Sequence, residues 1–138
     1  GNVITTFVNK KTKAERIVYE TYVGGKYPYA IKVHNQTSGT PGRIEVSRSD
    51  IQSTPTIAGT TAIDDGLQHH IVFQKSGSEL QLYIDGTAEG TTPDTTKLNT
   101  HNDAILTIGS EGYARSGLSG SLDEIRIYKS IDYGCTQW

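Results

Sequence analysis

The chain has no methionine, one cysteine and one tryptophan among its 138 residues. A single thiol, Cys135, excludes an intradomain disulfide, so no covalent cross-link supports the fold. The missing methionine leads to the expectation of a processed protein, an excised domain or a trimmed piece of a longer one. No apolar run nears the roughly 18 residues of a membrane-spanning helix, so membrane insertion is not expected. No run of Lys or Arg occurs and the formal net charge is −2, which argues against nucleic acid as a partner. Apolar residues nowhere recur at helical spacing for three turns. At most one helical turn is expected, near Ser49 to Ser53 or at Lys129 to Tyr133.

What remains is rich in glycine (15), threonine and tyrosine (8). Short runs alternate apolar and polar residues, as half-buried antiparallel strands do. Ile4 to Val8, Arg16 to Gly24, Tyr29 to His34, Arg43 to Ser47, His70 to Gln74, Leu80 to Ile84 and Leu122 to Tyr128 are the expected strands. Lys75-Ser76-Gly77-Ser78 reads as a hairpin turn, Asp85-Gly86 as a second chain reversal, and Thr40-Pro41-Gly42 as a further turn. Gly86 to Asp103, full of Thr, Asn and Asp, reads as one long loop. At this length the chain is expected to be one domain, 1–138, with an all-β antiparallel sandwich architecture. The expected core comprises Ile71, Phe73, Leu82, Ile84, Leu106, Ile108, Ile125 and Ile127.

The stretch from Asp65 to Tyr128 carries a family likeness. It contains His69-His70-Ile71-Val72, Leu82-Tyr83-Ile84-Asp85-Gly86, Ile108-Gly109 and Gly120-Ser121-Leu122-Asp123-Glu124-Ile125-Arg126-Ile127-Tyr128. That succession resembles the concanavalin A-like lectin/glucanase superfamily in its laminin-G-like branch. There the strands follow "W-H-H-V-A", "L-Y-V-D-G", "I-G" and "G-x-I-D-E-V-R-I-Y". Here Gln68 stands where the tryptophan is usual. The resemblance implies a jelly-roll sandwich and an extracellular, cell-surface or virion-surface module that recognises a glycan. An alternative is a structural or adhesive module, such as part of a phage fibre, whose partner is a protein. A second alternative is a relative of glycoside hydrolases or polysaccharide lyases.

Residue types narrow these readings. Adjacent strand residues point to opposite faces, so His69 and His70 do not share an ion easily and read as framework. A retaining glycosidase needs two carboxyl groups about 5 Å apart on one face. Asp123 and Glu124 are adjacent and do not meet that, nor do they match the Glu-x-Asp-x-x-Glu strand of the glucanase branch. Gln68-His69 and Tyr128-Lys129 do not reproduce the lyase pattern either. Asp123 is expected to tie a turn and Glu124 to pair with a nearby cation. Tyr27, Tyr29, Tyr113 and Arg115 are the candidate glycan contacts, through ring stacking and hydroxyl binding. The resemblance also implies calcium, for which Asp64, Asp65, Asn102 and Asp103, and with them Asp94, are the candidate oxygen ligands. Finally, the family's usual first strand, partner of the Leu122–Tyr128 strand, would precede this sequence. That edge is expected to be filled by the tail Asp132 to Trp138 or by a second subunit.

Overall fold

The computed structural model describes residues 2–7, 27–50, 52–98, 106–110 and 117–128. Two antiparallel sheets face each other. The larger contains β1 (Asn2–Phe7), β2 (Tyr29–Val33), β3 (Arg43–Arg48), β4 (Thr56–Ala62) and β8 (Thr107–Ile108), in the order β4-β3-β2-β1-β8. The smaller contains β5 (Ile71–Ser76), β6 (Glu79–Ile84) and β7 (Thr87–Pro93), in that order. No helix occurs among the described residues. Around Ser49 to Ser53 no helical turn occurs among the described residues; there the Asp50 side chain organises the loop instead. The expected strand Arg16 to Gly24, the helical turn at Lys129 to Tyr133 and the tail lie outside the described residues.

Alternation becomes burial as expected. Ile31 and Val33 of β2 stand opposite Val46 and Ile44 of β3, and Val46 stands opposite Ile57 of β4. These side chains meet Leu80, Leu82 and Ile84 of β6 in one core. Ile71 and Phe73 pack against that core while remaining half-buried. The hairpins close with the turn chemistry their residues dictate. Gly77 has a φ of 61° at the first central position between β5 and β6. Asp85 and Gly86, at 52° and 78°, make the double positive-φ turn between β6 and β7 that Asp-Gly favours.

Two strands were not legible. β4 (TIAGTTA) and β7 (TAEGTTP) have little apolar alternation and a central glycine, and β7 lies inside the segment expected to be a loop. The glycines are the reason they fit. A Cβ on Gly90 would come within 2.9 Å of Ile57 Cγ2, and one on Gly59 within 3.4 Å of Leu82 Cδ2. The sheets therefore approach most closely where β4 and β7 lack side chains. Glu89 bulges out of the β6–β7 ladder, between the pairs Leu82–Gly90 and Tyr83–Ala88. Its carboxylate accepts the edge N–H groups of Thr60 (3.1 Å) and Thr61 (2.8 Å), and so caps a strand edge that has no further ladder.

The end of the chain departs from expectation. Leu122 to Tyr128 forms no strand, and Ile125 and Ile127 are 42% and 57% exposed. Leu106 and Ile108, at 42% and 44%, are exposed as well. The physical reason is shared. β8 is only two residues long, and residues 117–128 have, among the described residues, no neighbouring ladder whose face their alternate side chains could share. Of the smaller expectations here, the ion pair of Glu124 is present, while Asp123 bonds its neighbour without a turn. Asp123 Oδ1 accepts the Glu124 N–H at 2.8 Å, and Glu124 pairs with Arg126 at 2.8 Å.

Candidate functional site

The strands carry functional groups to two opposite ends of the sandwich. One end collects the entry to β2, the loop between β3 and β4, the Gly77-Ser78 turn and the residues after β7. Its centre is Asp50, a buried carboxylate. Oδ1 accepts the N–H groups of Gln52 (2.7 Å) and Ser53 (2.6 Å), and Oδ2 those of Lys97 (2.8 Å) and Leu98 (2.9 Å). Burial alone would raise this carboxyl, but the four backbone donors outweigh it and bring the pKa down to about 2. Beside it Arg48 reaches the buried Asp94 at 2.5 Å, bonds the Thr96 hydroxyl, and lies 5.3 Å over the Tyr29 ring. Burial opposes ionisation of Asp94, while Thr96 and Arg48 favour it, and the net shift is downward.

The other end collects the β2–β3 loop, the β4–β5 loop and the Asp85-Gly86 turn. Here the nine-tenths-buried His69 ring sits between two partly exposed carboxylates. Nδ1 lies 2.7 Å from Asp85 Oδ2 and Nε2 2.8 Å from Asp65 Oδ1. Asp85 and then Asp65 raise the imidazole above its usual pKa. Asp85 also accepts the His70 N–H at 2.8 Å and returns its own N–H to the His70 carbonyl. Asp65 accepts the Leu67 N–H. Nearby, Gln36 Nε2 donates to Asp64 Oδ2 at 2.7 Å, and both side chains are exposed. Asp64 fits there because residue 42 is glycine. A Cβ at that position, whose φ is 75°, would fall 2.2 Å from Asp64 Oδ1.

The candidate residues are therefore divided. Tyr29 is on the inner face at the Asp50 end, tilted 60° against Phe73 with ring centroids 6.1 Å apart. Tyr27 is half-buried just before it. Asp64 and Asp65 lie at the His69 end. Tyr113, Arg115, Asn102 and Asp103 lie outside the described residues. Among the described residues no three acidic, His or Cys side chains converge as a metal cage. Asp64 is engaged by Gln36, and Asp65 by His69. Sequence reasoning missed Asp50, Arg48 and Glu89, weighed Asp94 only as a calcium ligand and read Asp85 only as a turn residue. For Asp50 a signal existed, since an Asp ahead of Gln, Ser, Thr and Pro is a typical turn-forming residue.

The sequence pattern of the concanavalin A-like lectin/glucanase superfamily, in its laminin-G form, matches residues 5–131. The chain belongs to this superfamily. None of the curated proteins matches this laminin-G-like chain significantly. A solved structure, that of an S-layer domain-containing protein from Clostridium thermocellum (residues 221–444), aligns at 19% identity with a TM-score of 0.37. The alignment takes in 99% of this chain and 62% of the other. Laminin-G-like domains are typically non-catalytic, although the superfamily also contains hydrolases. Every described carboxylate whose pKa moves, moves down: Asp50, Asp65, Asp85, Glu89 and Asp94.

Proposed function

We propose that this laminin-G-like domain is a non-catalytic recognition module on an exterior surface, and that its ligand is a glycan. The observation that carries the proposal is the rim at the His69 end. There an exposed amide–carboxylate pair, Gln36 and Asp64, stands beside Asp65 and Asp85 on loops fixed by the His69 ring and by the Gly42 turn. Carboxylate acceptors and amide donors held in a rigid frame suit the paired hydroxyls of a sugar ring, because little ordering entropy is lost on binding. Tyr113 and Arg115 are the proposed stacking and clamping contacts of this rim; Tyr27 and Tyr29 stand at the opposite, Asp50 end and are left out of it. An ion shared by Asp64 and the Asn102–Asp103 loop is the form in which calcium enters the proposal. It predicts a higher melting temperature in millimolar calcium than in chelator.

A glycan array probed with the wild-type chain, Gln36→Ala and Tyr113→Ala tests the reading. We expect binding by the wild type and at least about a tenfold loss in each variant, as when buried polar or stacking contacts are removed. Absence of binding to any glycan overturns the proposal. A second reading, an adhesive module whose partner is a protein, is favoured by the exposed Leu122, Ile125, Ile127 and Tyr128. A polysaccharide turnover assay addresses the hydrolase alternative, and no turnover is expected.

A further inference from the structure

Six of the eight exposed large apolar side chains among the described residues fall in one stretch: Leu106, Ile108, Leu122, Ile125, Ile127 and Tyr128. Within it, residues 121–128 have the composition of a strand and the structure of none. Among the described residues, no backbone group of this segment meets a backbone partner; the Glu124 N–H bonds the Asp123 carboxylate instead. Glu124 has a φ of 52°, a left-handed conformation that residues with a side chain rarely adopt. Among the described residues the segment thus has no backbone pairing, together with exposed apolar side chains and a kink that extension would remove.

We propose that residues 121–128 pair antiparallel with the same segment of a second copy of this chain, forming a symmetric dimer. The side chains specify both the occupant and the register. With Ile125 on the two-fold axis, Glu124 stands opposite Arg126 of the second copy and Leu122 opposite its Tyr128, and symmetry makes each pairing occur twice. Moving the axis one residue on sets Arg126 against Arg126; moving it one residue back sets Glu124 against Glu124. Charge therefore selects one self-complementary register. Within one chain Arg126 already bonds the Glu124 carboxylate and interacts with the Tyr128 side chain, so these alternate residues share a side. Pairing replaces that local contact with cross-strand ones and covers Ile125. The inference is independent of the glycan reading, since it uses no residue of the His69 rim.

Sedimentation equilibrium of the wild type, Glu124→Arg, Arg126→Glu and the double swap Glu124→Arg/Arg126→Glu tests it. Both positions are exposed, and circular dichroism checks that each variant folds. We expect a wild-type dimer. Each single swap sets two like-charged pairs opposite each other and should raise the dissociation constant about tenfold. The double swap restores opposite charges and should return to within about threefold of wild type. Amide exchange at Ile125 and Ile127 should slow as protein concentration rises. A monomeric wild type, single swaps that dimerise like wild type, a double swap that fails to recover, or amides indifferent to concentration each overturn the proposal.

Discussion

The two ends of the sandwich use one device in two ways. At the Asp50 end a carboxylate is buried and receives four backbone N–H groups, donors that do not titrate. At the His69 end the carboxylates are partly exposed, and the group between them is an imidazole. The first loop cluster is therefore held at any pH where Asp50 is ionised. The second is held only while His69 carries two N–H protons, because a neutral ring can donate to Asp85 or to Asp65 but not to both. Burial and donor type, not the number of acidic residues, separate a permanent clamp from a titratable one.

The largest expected effect is on the core beneath both ends. Leu82 is fully buried, and Leu82→Ala should cost about 2–5 kcal/mol in denaturant unfolding. Both ends should lose hydrogen-exchange protection together. A loss confined to one end would mean that they do not share one core.

Asp50→Ala removes a charged acceptor from four backbone donors and should cost about 3 kcal/mol. The loss should open residues 49–55 and 94–98 and spare the His69 end. Its acid limb has a defined sign. The carboxyl falls from 3.8 unfolded to about 2 folded, so its stabilisation is present above pH 3.8 and fades as pH falls towards 2. That contribution is about 2 kcal/mol and should be missing from the acid titration of the variant.

Gly42→Ala comes next, at about 1–2 kcal/mol, from a side chain placed at positive φ. It should also push Asp64 off Gln36, which NMR of the Gln36 side-chain amide would register.

The smallest effect belongs to Asp65→Asn. The His69 pKa is raised by Asp85 and Asp65, so the stability from this clamp is complete below the ordinary histidine value near 6.5 and is lost as pH rises through the folded value. Wild-type melting temperature should fall over that window. The fall should be weaker in Asp65→Asn, because a carboxamide can donate to the neutral ring. Identical profiles in the two proteins would show that Asp65 does not take part.

Legibility followed local chemistry. Tyr29 to Val33, Arg43 to Arg48 and Glu79 to Ile84 announce themselves by alternation, and Gly77, Asp85 and Gly86 by turn chemistry. β4 and β7 did not, because what holds them is each other. Gly59 and Gly90 let the sheets approach, and Glu89 closes the edge across 28 and 29 residues of sequence. At the candidate site, Asp64 and Asp65 were legible as acidic loop residues, but their occupations were not, since Gln36 and Asp85 arrive from distant turns.

The sequence by itself determined an all-β domain without disulfide, its hairpins and a part of its core, because period-2 burial and positive-φ turns are properties of neighbouring residues. Tertiary structure alone decided which carboxylates became clamps and which apolar residues stayed uncovered. Asp50 looks no different from Asp64 until four N–H groups from two loops surround it. Ile125 alternates as faithfully as Ile31 yet remains exposed, because burial requires an opposing face that alternation cannot supply.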